Sequence, residues 1–89
     1  MRQLETVIIA TIKVRGLPVP IKIASQTEPT ISQIYKMIAD LAQKNDIPGD
    51  IKFKKILQEN EQKMYIYEIG NQKCVVLIEK LEKVIEFEN

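Results

Sequence analysis

Thr30–Asp50, TISQIYKMIADLAQKNDIPGD, decides how the chain is read, because it is its one convincing helix and lies between stretches patterned as strands. Thr30 with Gln33 fits a capping box, in which each residue satisfies a backbone N–H of the other, and Pro29 suits the approach to the first turn. Ile31, Ile34, Tyr35, Ile38, Leu41 and Ala42 recur at three- and four-residue steps, so they predict one apolar stripe. Lys44 complements the dipole at the far end, Asn45 is expected in the left-handed C-terminal position, and Pro48-Gly49 stops the helix.

Working outward, Glu5–Arg15 (ETVIIATIKVR) is rich in β-branched residues, with Ile8, Ala10, Ile12 and Val14 on one face at a period of two. Gly16-Leu17-Pro18 breaks this strand, and Val19, Ile21 and Ile23 alternate in a second strand expected across a tight hairpin. Pro20 cannot donate to a ladder, which favours a sheet edge. After the helix, Ile51–Leu57 and Lys63–Ile69 read as strands with a turn at Glu59-Asn60. Gly70-Asn71 is a two-residue hairpin signal leading into Gln72–Lys80. Cys74, Leu77, Ile78, Leu81, Val84 and Ile85 also fit a helical stripe, but the preceding turn and the β-branched start favour a strand. Residues 81–89 extend it or form a further strand. No linker or repeat divides residues 1–89, which are expected to be one domain.

A hairpin, one helix and then two to four further strands is an α+β layout, and it resembles the β-grasp order. Thr30-Ile31, Ile34 and Ile38, followed by Ile47-Pro48 and Asp50, are similar to the helix and helix exit of the ubiquitin-like family. Tyr67–Lys73 before Val75–Leu81 is similar to that family's approach to its last strand. The resemblance implies a mixed sheet crossed by the helix, with Ile31, Ile34 and Ile38 as core contacts and Ile47-Pro48 as the returning loop. Three features depart from it, the first being a helix that runs longer before its exit loop. The sequence ends Glu86-Phe87-Glu88-Asn89 where conjugating members and sulfur carriers carry two glycines, so a processed modifier or carrier is disfavoured and a non-conjugating module is expected. Lys52, Lys54 and Lys55 stand where the family carries part of its apolar recognition surface.

The composition removes most chemistries. With no histidine and one cysteine among 89 residues, the usual zinc sets and a histidine-activated nucleophile cannot be assembled, so no catalytic residue, metal or cofactor is expected. Gly16, Gly49 and Gly70 are isolated and read as turns, not as a phosphate loop, and no small-molecule substrate is evident. Cys74 in an apolar strand reads as a core thiol, and the C-terminal Glu79, Glu82, Glu86 and Glu88 as a solvated face. A hydrophobic share of 45% with 13 basic and 12 acidic residues describes a globular chain of near-neutral charge. Arg2, Lys13, Arg15 and Lys22 outweigh Glu5 in the first hairpin, short of a nucleic-acid signature. Neither a secretory leader nor a membrane span is evident, and a lone cysteine agrees with a reducing compartment, so a cytoplasmic protein is expected. Abundant Ile, Lys and Glu with no His or Trp is a composition shared with thermophile proteins.

What remains is action through surfaces. A single helix covers one sheet face, yet apolar residues fall on both: Val7 and Ile9 oppose Ile8 and Ala10, and Val75 and Leu77 oppose Val76 and Ile78. The expected function is a non-enzymatic protein-interaction module that uses the open face and self-associates, through Val7, Ile9, Tyr65, Tyr67, Val75 and Leu77 with Lys52 and Lys54 at the rim. The alternative is a small nucleic-acid-binding protein using Lys52, Lys54 and Lys55 with Tyr65 and Tyr67 as stacking platforms.

Overall fold

A computed structural model describes the backbone of residues 2–86 and the side chains of residues 5–82. The element order is β1 (Arg2–Val14), β2 (Ile21–Ser25), α1 (Ile31–Lys44), β3 (Ile51–Glu59), β4 (Gln62–Ile69) and β5 (Gln72–Glu86). The last segment is therefore a strand, and it extends from Gln72 to Glu86; residues 87–89 lie outside the described residues.

The five strands form one sheet in the order β2-β1-β5-β4-β3. Every pairing is antiparallel, which overturns the β-grasp expectation and its mixed sheet. The reason lies in the connections. Two-residue turns close Glu59↔Gln62 and Ile69↔Gln72, and turns that short can only reverse the chain, so β3, β4 and β5 form an antiparallel meander. β5 then docks against β1 in the opposite direction, from Val14↔Cys74 to Arg2↔Glu86. β2 and β3 lie on opposite edges of the sheet, with α1 between them in the chain.

The sheet is also uneven in width. β2 pairs β1 only from Ile8 to Ile12, and β4 pairs β5 only as far as Glu79, so from Val7↔Leu81 to Arg2↔Glu86 the sheet narrows to a two-stranded ribbon. The molecule is accordingly long, 56 × 25 × 22 Å.

The helix begins as the sequence requires. The Gln33 N–H donates to Thr30 Oγ1 at 3.2 Å and the Thr30 N–H donates to Gln33 Oε1 at 2.9 Å, completing the capping box. Its other end differs by one residue from expectation. Asn45 keeps a negative φ and its side-chain Nδ2 donates to Leu41 O at 2.9 Å, while Asp46 takes the left-handed conformation at φ 53°. The Ile47 N–H then reaches Ala42 O at 2.9 Å and the Asp46 N–H reaches Gln43 O at 3.4 Å, the bond pair of a Schellman ending.

The buried stripe is Ile34, Ile38, Leu41 and Ala42, with Met37 packed partly against the core. Ile31 is 62% exposed and Tyr35 50%, so neither is the core contact that the stripe and the family likeness implied. The first hairpin is wider than expected as well. Pairing of β1 with β2 closes at Ile12↔Ile21, Lys13 and Val14 pair with β5 alone, and residues 15–20 form the connection, with Val19 outside the strand. β2 does occupy an edge.

Two glycines fix where the helix exit meets the sheet. Gly49 has φ +107° and Gly70 has φ +57°, and the two backbones touch: a Cβ on Gly70 would sit 2.6 Å from Pro48 O, and one on Gly49 would collide with Gly70. The Gly70 N–H donates to Asp50 O at 2.9 Å, which locks this loop to the β4–β5 turn.

Candidate interaction surface

Strand parity sorts the sheet into two faces, and pairing fixes which residues share each. Ile69↔Gln72 across the two-residue turn sets Tyr67 opposite Cys74 and Tyr65 opposite Val76; Ala10↔Ile78, Ile12↔Val76 and Val14↔Cys74 join β1 to the same face. This is the side α1 covers. Its core combines Ile8, Ala10, Ile12, Val14, Tyr65, Tyr67, Ile69, Cys74, Val76 and Ile78 with the helix stripe.

Tyr65 and Tyr67 are thus 6% and 2% exposed beneath the helix, not on the open face where a partner-binding role needs them. The Phe53 ring meets Tyr67 edge-on with centroids 5.4 Å apart. The Tyr67 hydroxyl is buried without a hydrogen-bond partner, and burial raises its pKa above the usual 10.0, with Tyr65 and Cys74 adding to the shift. Burial also pushes the Cys74 thiol from 9.0 up to about 11, so it stays protonated and unreactive at neutral pH.

The opposite face carries Val7, Ile9 and Thr11 from β1, Val75, Leu77 and Leu81 from β5, and Met64 and Ile66 from β4, through the pairs Val7↔Leu81, Thr11↔Leu77, Met64↔Leu77 and Ile66↔Val75, with Lys22 and Ala24 of β2 at its edge through Thr11↔Lys22 and Ile9↔Ala24. Among the described residues no element lies over them. Four of the expected site residues, Val7, Ile9, Val75 and Leu77, are therefore brought together. Thr11, Met64 and Ile66 complete the strip, and Thr11 is only 5% exposed at its centre.

β3 joins this face through an irregularity. The register shifts between Phe53 and Lys55, where a bulge places Lys54 as an extra residue. Before it, Lys52↔Glu68 lies on the open face and Phe53↔Tyr67 on the helix face; after it, Lys55↔Ile66 and Leu57↔Met64 lie on the open face and Ile56↔Tyr65 on the helix face. Unbroken alternation would have turned Leu57 under the helix and Ile56 outward. Lys52 and Lys54 sit at the rim, with Lys54 Nζ 3.6 Å from Glu68 Oε1. Lysines and a bulge on an edge strand also discourage another strand from adding there.

Charge is distributed unevenly along the strands of this face. Towards the β4–β5 turn stand Lys13, Lys52, Lys54, Lys55 and Lys73 against Glu68. Towards the ribbon stand Glu79 and Glu59, with the Gln62 Nε2 donating to Glu79 Oε2 at 3.3 Å. The row Leu57, Met64, Leu77 and Thr11, continued at the β2 edge by Lys22, separates the two ends.

Elsewhere, a cavity of about 330 Å³ opens between α1 and β2, with Ala10, Ile23, Met37, Lys36 and Asp40 in its walls. Ser25 and Thr27 also line it, and the Ser25 hydroxyl donates to Thr27 O at 2.7 Å. Lys63 Nζ lies 2.8 Å from Glu28 Oε1, tying the segment before α1 to β4, and this carboxylate raises the Lys63 pKa above 10.5. Among the described residues no group of three or more His, Cys, Asp or Glu could hold a metal ion, and no helix is long and apolar enough to cross a membrane.

Comparison with family models, with curated proteins and with solved structures returns no match to this chain.

Proposed function

We propose that the protein is a non-enzymatic interaction module that self-associates through the uncovered sheet face. The observation that carries this reading is the apolar strip Val7, Ile9, Met64, Ile66, Val75 and Leu77, bridged by the buried Thr11 and continued by Leu57, opposite the face that α1 covers. One-sided covering leaves such a strip in water unless another surface takes it, and a patch of this kind on a small domain favours protein association. The charged residues at both ends, with Lys52 and Lys54 among them, supply the polar rim of an interface.

A nucleic-acid role has less support. Tyr65 and Tyr67 are buried beneath the helix and offer no stacking surface, Lys54 faces Glu68, and a polyanion lying along the face would also meet Glu59 and Glu79.

Light scattering across a concentration series tests the reading. The parent is expected to exceed its monomer mass of 10.3 kDa. Ile66→Lys on the open face is expected to return it to monomer, while Ile31→Lys, on an exposed helix position, leaves association unchanged. Association that survives Ile66→Lys and Leu77→Lys, in variants whose circular dichroism matches the parent, would remove the open face from the account.

A further inference from the structure

We infer that the occupant of the open face is a second copy of this chain packed head to tail, about a two-fold axis that crosses the strands at the Leu57–Met64–Leu77–Thr11 row. This inference rests on the reading that the face is a docking surface, and adds the arrangement of the two copies. Charge placed along the strands favours this arrangement. On β3, Lys55 precedes Leu57 by two residues and Glu59 follows it by two, and all three share the open face. A two-fold axis lying in the face and perpendicular to the strands reverses strand direction but keeps each strand over its own counterpart. Lys55 then stands over Glu59 of the partner subunit, and Glu59 over the partner's Lys55, so the pair forms twice. On β1 and β5 the same operation brings Lys13 diagonally to the partner's Glu79.

The competing arrangement, also face to face but with the axis along the strands, sets the lysine-rich end on the partner's lysine-rich end and is opposed by like charges. Head-to-tail stacking also superposes the row Leu57, Met64, Leu77 on itself, and at its β2 end sets Lys22, opposite Thr11, against the partner's Lys22, a like-charge contact at the exposed edge of the sheet. Lys55 and Glu59 are exposed and hold no ion pair with each other, so both are available to a partner. Four of the five strands, β1, β5, β4 and β3, carry the apolar part of the face, spaced about 4.8 Å apart over roughly 30 Å, on the order of 600 Å² per copy, towards the low end for a specific pair. At that size end-to-end charge matching decides the register.

Charge exchange at this one pair tests the arrangement, read by sedimentation velocity at low salt. Lys55→Glu sets like charges at both junctions, as does Glu59→Lys, and each alone is expected to weaken dimerisation about tenfold. Mixing the two variants in equal amounts restores complementary charge at both junctions, so the mixture is expected to dimerise within about threefold of the parent, as is the doubly exchanged chain. Both positions are exposed, so folding is expected to persist, and circular dichroism verifies it. A parent dimer with single variants that associate as it does, or a mixture no tighter than either variant alone, overturns the head-to-tail arrangement and leaves the docking surface standing. A parent monomeric at all concentrations overturns both.

Discussion

The two faces of the sheet are built from similar residues and end in different states. On one, Ile8, Ala10, Ile12, Val76 and Ile78 meet Ile34, Ile38 and Leu41 and are sealed from water. On the other, Val7, Ile9, Val75 and Leu77 occupy the alternating positions of the same strands with nothing above them among the described residues. The difference teaches that apolar alternation on both faces of a one-helix domain records one interface satisfied within the chain and a second apolar surface, which the proposed association would cover.

Breaking the covered face should cost the most. Ile38→Ala removes a fully buried side chain under the helix and is expected to destabilise the fold by about 3 kcal/mol in urea unfolding, leaving the apolar strip unaltered. Ile66→Ala on the open face is expected to cost about 1 kcal/mol in the isolated chain but to weaken association, and equal losses of stability from the two would erase the distinction between the faces.

Alkaline titration sharpens the same contrast. The folded chain holds the Cys74 proton up to about 11, while the unfolded chain releases it near 9.0, so folding binds a proton across that window. Stability is therefore expected to be level below pH 9 and to fall as pH rises from about 9 to about 11, with Tyr67 adding to the fall above 10. Cys74→Ala should flatten that slope in urea midpoints measured against pH, whatever it does to the midpoint at pH 7. An unchanged slope would place the thiol in contact with water.

The smallest effect is expected at the Tyr67 hydroxyl, which is buried without a partner. Tyr67→Phe keeps the ring against Phe53 and removes the orphaned group, so the urea midpoint should hold steady or gain up to about 1 kcal/mol in stability. A clear loss would mean that the hydroxyl is bonded, for example through water.

Local features were legible in the sequence where local chemistry determines them. The Thr30–Gln33 box, the Gly70-Asn71 turn and the edge position of the strand after Pro20 all follow from properties of one to four residues. The antiparallel docking of β5 on β1 joins positions as far apart as Arg2 and Glu86, and no local signal encodes its direction, which is why the β-grasp likeness misled. The bulge at Lys54 likewise has no glycine or proline to announce it, yet it decides that Leu57 and not Ile56 faces outward. The placement of the tyrosines was recoverable. Once the two-residue turn pairs Ile69 with Gln72, Tyr67 must lie opposite Cys74 and Tyr65 opposite Val76, beside the core positions and away from Val75 and Leu77.

The most direct test of the account reads both faces in one experiment. A soluble paramagnetic agent attenuates methyl resonances that water can approach, and it is applied to dilute and to concentrated protein. The account predicts that Ile9, Ile66, Val75 and Leu77 are attenuated when dilute and become protected when concentrated, while Ile34 and Ile38 are protected at both concentrations. Open-face methyls attenuated equally at every concentration would contradict it.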